Sequence, residues 1–187
     1  FSRIQTLIKD SAKITLDDLE DVGFHQAYFK EGQTFSIDAL RREIGIDKIL
    51  SGKQLLAAHY YDKYFAKQGG WYARLFAELL SGPWIDEDSV ITIHTDQLHG
   101  EVNSIRRDNI QEHFKNLPNF RLEWREPYQY PKLDHARNLD FTFAGHPNWR
   151  LRFDKGIDFV RRRIETNEYV VKDVSDVIWI SPIPTTP

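Results

Sequence analysis

Three short apolar stretches, separated by two stretches with helical spacing, constrain this chain more than any other feature. QLLAAHYY at 54–61 is an apolar run of strand length. After the break at Gln68-Gly-Gly, Trp71, Leu75, Phe76, Leu79 and Leu80 form a helical stripe that stops at Ser81-Gly-Pro. SVITIHT at 89–95 is short and β-branched. Ile105, Ile110, Phe114 and Leu117 then fall close to helical spacing, and FRLEW at 120–124 alternates, with Phe120, Leu122 and Trp124 on one side. Strands alternating with helices of this length predict a βαβαβ unit in a mainly parallel sheet covered on both faces.

Beyond this unit the pattern changes. A bend rich in Tyr and Pro at 126–131 leads into a strand over 135–143, and Gly145-His-Pro-Asn supplies a turn. Trp149, Leu151 and Phe153 form the inward set of the returning strand, with Arg150 and Arg152 on its other face. Ile157-Asp-Phe-Val-Arg-Arg-Arg-Ile predicts a helix after Lys155-Gly156. A last apolar segment spans 170–180, before a proline-rich tail expected to be mobile. Residues 1–53 predict a helical extension or the end of a preceding domain, with helix starts at Thr15 and Ser36 and stops near Gly23 and Gly45. The expected division is therefore 1–53 and 54–187.

Composition sets limits on function. With 187 residues, 41% hydrophobic and 13% aromatic, the chain can bury one core and is not disordered. A formal charge of -3 argues against indiscriminate binding to polyanions while leaving room for a local basic patch. The absence of cysteine removes disulfides, thiol nucleophiles and cysteine-ligated zinc. The absence of methionine fits a stretch excised from a longer protein.

The strongest chemical candidates are His135 and Arg137, two residues apart on one side of the pleat, with Leu139, Phe141 and Phe143 behind them. An imidazole beside a guanidinium can ligate a phosphate or carboxylate; the plainer role is a rim histidine with Arg137 ion-paired to Asp134, Asp140 or Asp158. His94, followed by Thr95 and Asp96, stands at the carboxyl end of the second strand, near Tyr61-Asp62 at the end of the first, where open α/β sheets bind ligands. A histidine that satisfies a strand-end turn would look the same. Arg150 and Arg152, with Arg161, Arg162 and Arg163, could hold phosphates, or simply form a solvated face with Asp154, Asp158 and Glu165 among them. There is no Gly-rich phosphate loop and no GxSxG elbow, and His94 and His99 lack the i, i+4 spacing of a helical metal site, so no cofactor or metal is expected.

The order βαβαβ plus hairpin, the His135-x-Arg137 strand, Trp149 and the Gly156-Ile157-Asp158-Phe159 run together resemble the phospholipase D-like domain found C-terminal to MIT domains. The resemblance runs over about 55–171 and is densest over 134–163. It implies a three-layer α/β half-fold, βαβαβ with a C-terminal β-hairpin and helix. It also implies a module, often dimeric, that binds phosphoinositide membranes without hydrolysing them. Active phospholipase D relatives carry His-x-Lys and then, after four residues, Asp. Here Arg137 replaces the lysine, Asp140 comes too early, and Thr142 stands where that aspartate would fall. These departures weigh against phosphodiesterase catalysis and leave anion binding intact, because arginine binds phosphate bidentately.

The expected function is therefore a noncatalytic phospholipase D-like module in a larger protein, binding a lipid headgroup or nucleic acid phosphate through His135, Arg137, His94, Arg150 and Arg152. One alternative is a dimeric phosphodiesterase or nuclease using His135. Another is a protein-interaction scaffold whose aromatic surface docks a partner; a homodimer and a protein partner at the N-terminal segment are further expected partners. The expected location is the cytoplasm or the periphery of a membrane.

Overall fold

The computed structural model describes residues 23–96, 102–117, 119–125, 137–154 and 156–181. Their order begins with β1 (Gly23–Phe29), β2 (Thr34–Phe35), α1 (Ile37–Ile44) and α2 (Ile46–Leu50). Then come β3 (Leu55–Tyr61), the short α3 (Phe65–Gln68), α4 (Gly70–Leu80), β4 (Val90–Asp96), α5 (Val102–Phe114) and β5 (Phe120–Arg125). The chain continues with β6 (Arg137–Phe143), β7 (Trp149–Phe153), a 3-10 turn at Ile157–Phe159, β8 (Val160–Arg163), β9 (Glu168–Val171) and β10 (Ser175–Ser181).

This is a mixed α/β fold around a seven-stranded sheet of order β1-β10-β7-β6-β3-β4-β5. The predicted βαβαβ unit is present as β3, α4, β4, α5 and β5, and its strands pair in parallel. Every other pairing of the large sheet is antiparallel, including the predicted β6–β7 hairpin, so parallel pairing is confined to one wing. A second sheet of order β2-β9-β8 lies against α1, and Tyr169 of β9 hydrogen-bonds to Glu78 of α4.

Strand alternation sorts the sheet into two faces. Ala58 and Tyr60, Ile91 and Ile93, Leu122, Leu139 and Phe141, Leu151 and Phe153, and Val177 and Trp179 are buried on one face. The helices pack there. Phe76 of α4 stacks on Tyr60 with centroids 4.6 Å apart, Phe114 of α5 stacks on Phe120 at 4.0 Å, and the Trp179 indole N–H donates to the Ile44 carbonyl of α1. Each such ring contributes roughly 1.5–3 kcal/mol by leaving water. The opposite face carries His59, Tyr61, His94, Glu123, Asn138, Asp140, Arg150 and Arg152; the second helical layer of a three-layer arrangement is not among the described residues.

Several local expectations meet the structure differently. The helix over 36–45 forms as expected: Ser36 Oγ accepts from the Ala39 N–H at 3.2 Å, and Gly45, at φ 91°, closes it in the left-handed conformation. The expected helix from Ile157 does not form. Gly156 holds φ 84° and ψ -172°, a conformation nearly reserved for glycine, and the chain makes only one 3-10 turn before Val160–Arg163 pairs with Glu168–Val171. Asn167, at φ 57°, turns that hairpin. Residues 23–53, expected as part of an extension, belong to the same core: β1 pairs with β10 along its whole length, and Leu40, Ile44, Ile46 and Leu50 are fully buried. Trp71, placed on the apolar stripe of α4, is 40% exposed. The helix expected from Thr15 and the proline-rich tail lie outside the described residues.

Candidate functional site at the carboxyl ends of the parallel strands

β6 runs antiparallel to β3, so Arg137 at its start meets the carboxyl ends of β3 and β4. Arg137 shares the parity of Leu139 and Phe141 and stands at the rim of the helix-covered face, as the alternation predicts. Its guanidinium is already engaged there. Nε lies 3.2 Å from Asp62, whose side chain is fully buried, and Nη1 lies 3.7 Å from Asp158. The plainer reading of Arg137, an ion pair with Asp158, is thus present, with Asp62 added. The guanidinium also sits 5.7 Å above the Tyr64 ring.

The surrounding hydrogen bonds converge on Asp62. It accepts from the Tyr72 hydroxyl at 2.7 Å, the Tyr60 hydroxyl at 3.4 Å and the Tyr64 N–H at 2.9 Å. The Ile157 N–H donates to the Tyr72 oxygen at 3.3 Å, which ties this cluster to the 3-10 turn. Burial, with the Asp62 carboxylate adding to it, pushes both tyrosine hydroxyls well above their ordinary range, so they act as donors. Burial works against the charge on Arg137, but Asp62 and its neighbours outweigh it and raise the guanidinium pKa. Burial also raises Asp158, which Arg137 only partly offsets. One Asp158 oxygen is buried without a hydrogen bond, 3.7 Å being too long for one, while the other accepts from Gln68 at 3.3 Å. Two carboxylates around one guanidinium make this cluster a poor receptor for a further anion.

The opposite face is built differently. Cross-strand register places Glu123, His94, Tyr61, Asn138, Arg152 and Ile178 in one row across β5, β4, β3, β6, β7 and β10. Beside it runs a second row of Arg121, Thr92, His59, Asp140 and Arg150. His94 Nδ1 lies 2.9 Å from Glu123 Oε2, and His94 Nε2 lies 3.1 Å from His59 Nδ1. The Tyr61 ring stacks on His94 with centroids 4.4 Å apart and planes 5° off parallel. His94 is buried, His59 and Tyr61 are half-buried, and Glu123 is exposed.

Arg150 donates from Nε and Nη2 to the two oxygens of Asp140, at 2.7 and 2.8 Å. That bidentate bond is the main reason its guanidinium pKa rises. Arg152, half-buried on the same side of β7, has no ion pair among the described residues. Next to it in register, the Asn138 Oδ1 is buried without a hydrogen-bond partner.

Of the residues expected to bind ligand, the structure therefore brings His94, Arg150 and Arg152 onto one sheet face and turns Arg137 to the other. His135 lies outside the described residues. Thr142 faces with Asp140 and Asn138, away from Arg137. The sequence reading missed His59, Asp62 as the partner of Arg137, and Glu123. The signal was available: the alternation that turns Phe120 and Leu122 inward turns Glu123 outward, beside His94. Among the described residues no group of three or more His, Asp or Glu side chains is arranged to hold a metal, and no helix is long and apolar enough to cross a membrane.

No family model matches this chain, and no curated protein matches it. Among solved structures, the crystal structure of polyphosphate kinase from Porphyromonas gingivalis matches with a TM-score of 0.46 and 9% identity. The match covers 86% of this chain and 23% of that one, so the chain spans less than a quarter of that protein's length. Similarity at this level assigns neither family nor activity, and the mixed α/β fold stands on its own topology.

Proposed function

We propose that this chain is a phospholipase D-like module that binds a phosphate-bearing ligand within a larger protein, without phosphodiesterase catalysis at its His-x-Arg strand. The observation that carries this reading is the division between the two arginines: Arg137 is held by Asp62 and Asp158, whereas Arg152 has no carboxylate partner among the described residues, on a face that also presents Arg150, His59 and His94. A guanidinium of that kind is suited to bidentate phosphate contacts. The absence of lysine at 137 and of aspartate at 142 supports the noncatalytic part.

Lipid headgroups and nucleic acids share this chemistry. Co-sedimentation with anionic vesicles and filter binding to single-stranded nucleic acid, each at two salt concentrations, separate the two sources. Arg152→Ala is expected to lower whichever binding is found by about tenfold or more, the worth of a charge-assisted hydrogen bond. Undiminished binding by a folded Arg152→Ala protein would overturn the assignment.

A further inference from the structure

We propose that His59 is a phosphate-ligating residue of the polar face, and that ligation takes up one proton whose place is set by Glu123 through His94. The proposal rests on the phosphate-binding reading above and adds its chemistry. A carboxylate can only accept, so Glu123 at 2.9 Å fixes the proton of neutral His94 on Nδ1. His94 Nε2 then carries a lone pair, and it faces His59 Nδ1 at 3.1 Å. The proton of neutral His59 is therefore on Nδ1, and its Nε2 is an acceptor.

That acceptor has no hydrogen-bond partner among the described residues. A phosphate oxygen is an acceptor too, so it can engage Nε2 only after a proton is added there. The resulting imidazolium donates at both ends, from Nδ1–H to His94 and from Nε2–H to the anion. His94 and Glu123 thus position His59, and His59 touches the ligand.

The other groups facing His59 set the background. Tyr61 lies on its own strand and Thr92 and Asp96 on β4; Arg121 shares β5 with Glu123. Asp140 stands opposite on β6 and is neutralised by Arg150, Arg152 projects from β7, and Asp176 lies on β10. With Asp140 and Arg150 paired, a bound dianion is the new charge that favours the imidazolium, so anion binding and proton uptake are linked in both directions.

Sulfate is the probe, because it stays a dianion where phosphate itself titrates. Calorimetry of sulfate binding in buffers of different ionisation enthalpy counts the protons. The expected result is uptake approaching one proton per sulfate, with affinity falling toward tenfold per pH unit on the alkaline side. His59→Gln should bind more weakly, with no proton uptake and a flat pH profile. Glu123→Gln should still bind sulfate, with less proton uptake, because an amide no longer fixes the His94 tautomer. Sulfate binding that needs Arg152 yet takes up no proton, or His59→Gln taking up as many protons as the unaltered chain, would overturn this inference alone. Failure of the unaltered chain to bind sulfate or phosphate at all would overturn the phosphate-binding reading with it.

Discussion

Arg137 and Arg152 sit on neighbouring strands, one residue apart in register, in opposite surroundings. Asn138 pairs with Arg152, so the side chain of Arg137 emerges on one face of the sheet and that of Arg152 on the other. On the helix side, Arg137 meets a fully buried Asp62, a half-buried Asp158 and two buried phenols. Its charge compensates charges that burial has made costly. On the polar side, Arg152 has no carboxylate partner among the described residues, and its cross-strand neighbours are Asn138 and Ile178. The same residue type compensates buried charge where the helices cover it, and where they do not it is the residue we propose for the ligand.

The comparison breaks most readily at Arg137. Arg137→Ala leaves the Asp62 carboxylate buried with only hydrogen bonds, and a loss of about 3–5 kcal/mol in chemical denaturation is expected. A loss below about 1 kcal/mol would show that Arg137 is not holding the cluster. Gly156→Ala acts on the same side through the backbone: φ 84° is strained for alanine, and its Cβ would come 2.4 Å from Arg137 Cδ. A loss of roughly 1–3 kcal/mol is expected, without a direct effect on the polar face. Arg152→Ala should show the converse, a change of stability within about 0.5 kcal/mol, read as an unchanged denaturation midpoint, together with the loss of anion binding.

The smallest effect sharpens the helix side. Asp158 is raised in the folded state, so the folded protein holds that proton more tightly than the unfolded chain does. Its contribution to stability is complete below the unfolded carboxyl value, near pH 4, and is lost as pH rises through the higher folded value. Asp158→Asn should remove that part of the pH dependence and gain less than about 1 kcal/mol at neutral pH. Denaturation midpoints compared at pH 4 and pH 7 measure it.

What was legible in the sequence follows from how local each signal is. The βαβαβ unit and the β6–β7 hairpin rest on periodicity and on turn residues, and both are present. Ser36 and Gly45 marked a helix correctly because capping is a short-range hydrogen-bond pattern. The run from Ile157 looked helical by composition, and what overrode it was one glycine conformation and a pairing with β9. β1 went unread because its edge position depends on β10, about 150 residues later in the chain. At the site, parity correctly sent Arg150 and Arg152 away from the core. Spacing could not show that Asp62, from a different strand end, would occupy Arg137, or that His59 and His94 would meet across two parallel strands, because those contacts depend on register.

The most direct test of where the ligand binds is a backbone amide chemical-shift map of the folded chain titrated with inorganic phosphate. The polar-face account predicts saturable shifts centred on His59, Asn138 and Arg152, with Asp62, Tyr72 and Gly156 nearly unmoved. Shifts centred on Asp62, Tyr72 and Gly156 instead would place the ligand at the Arg137 cluster and contradict it.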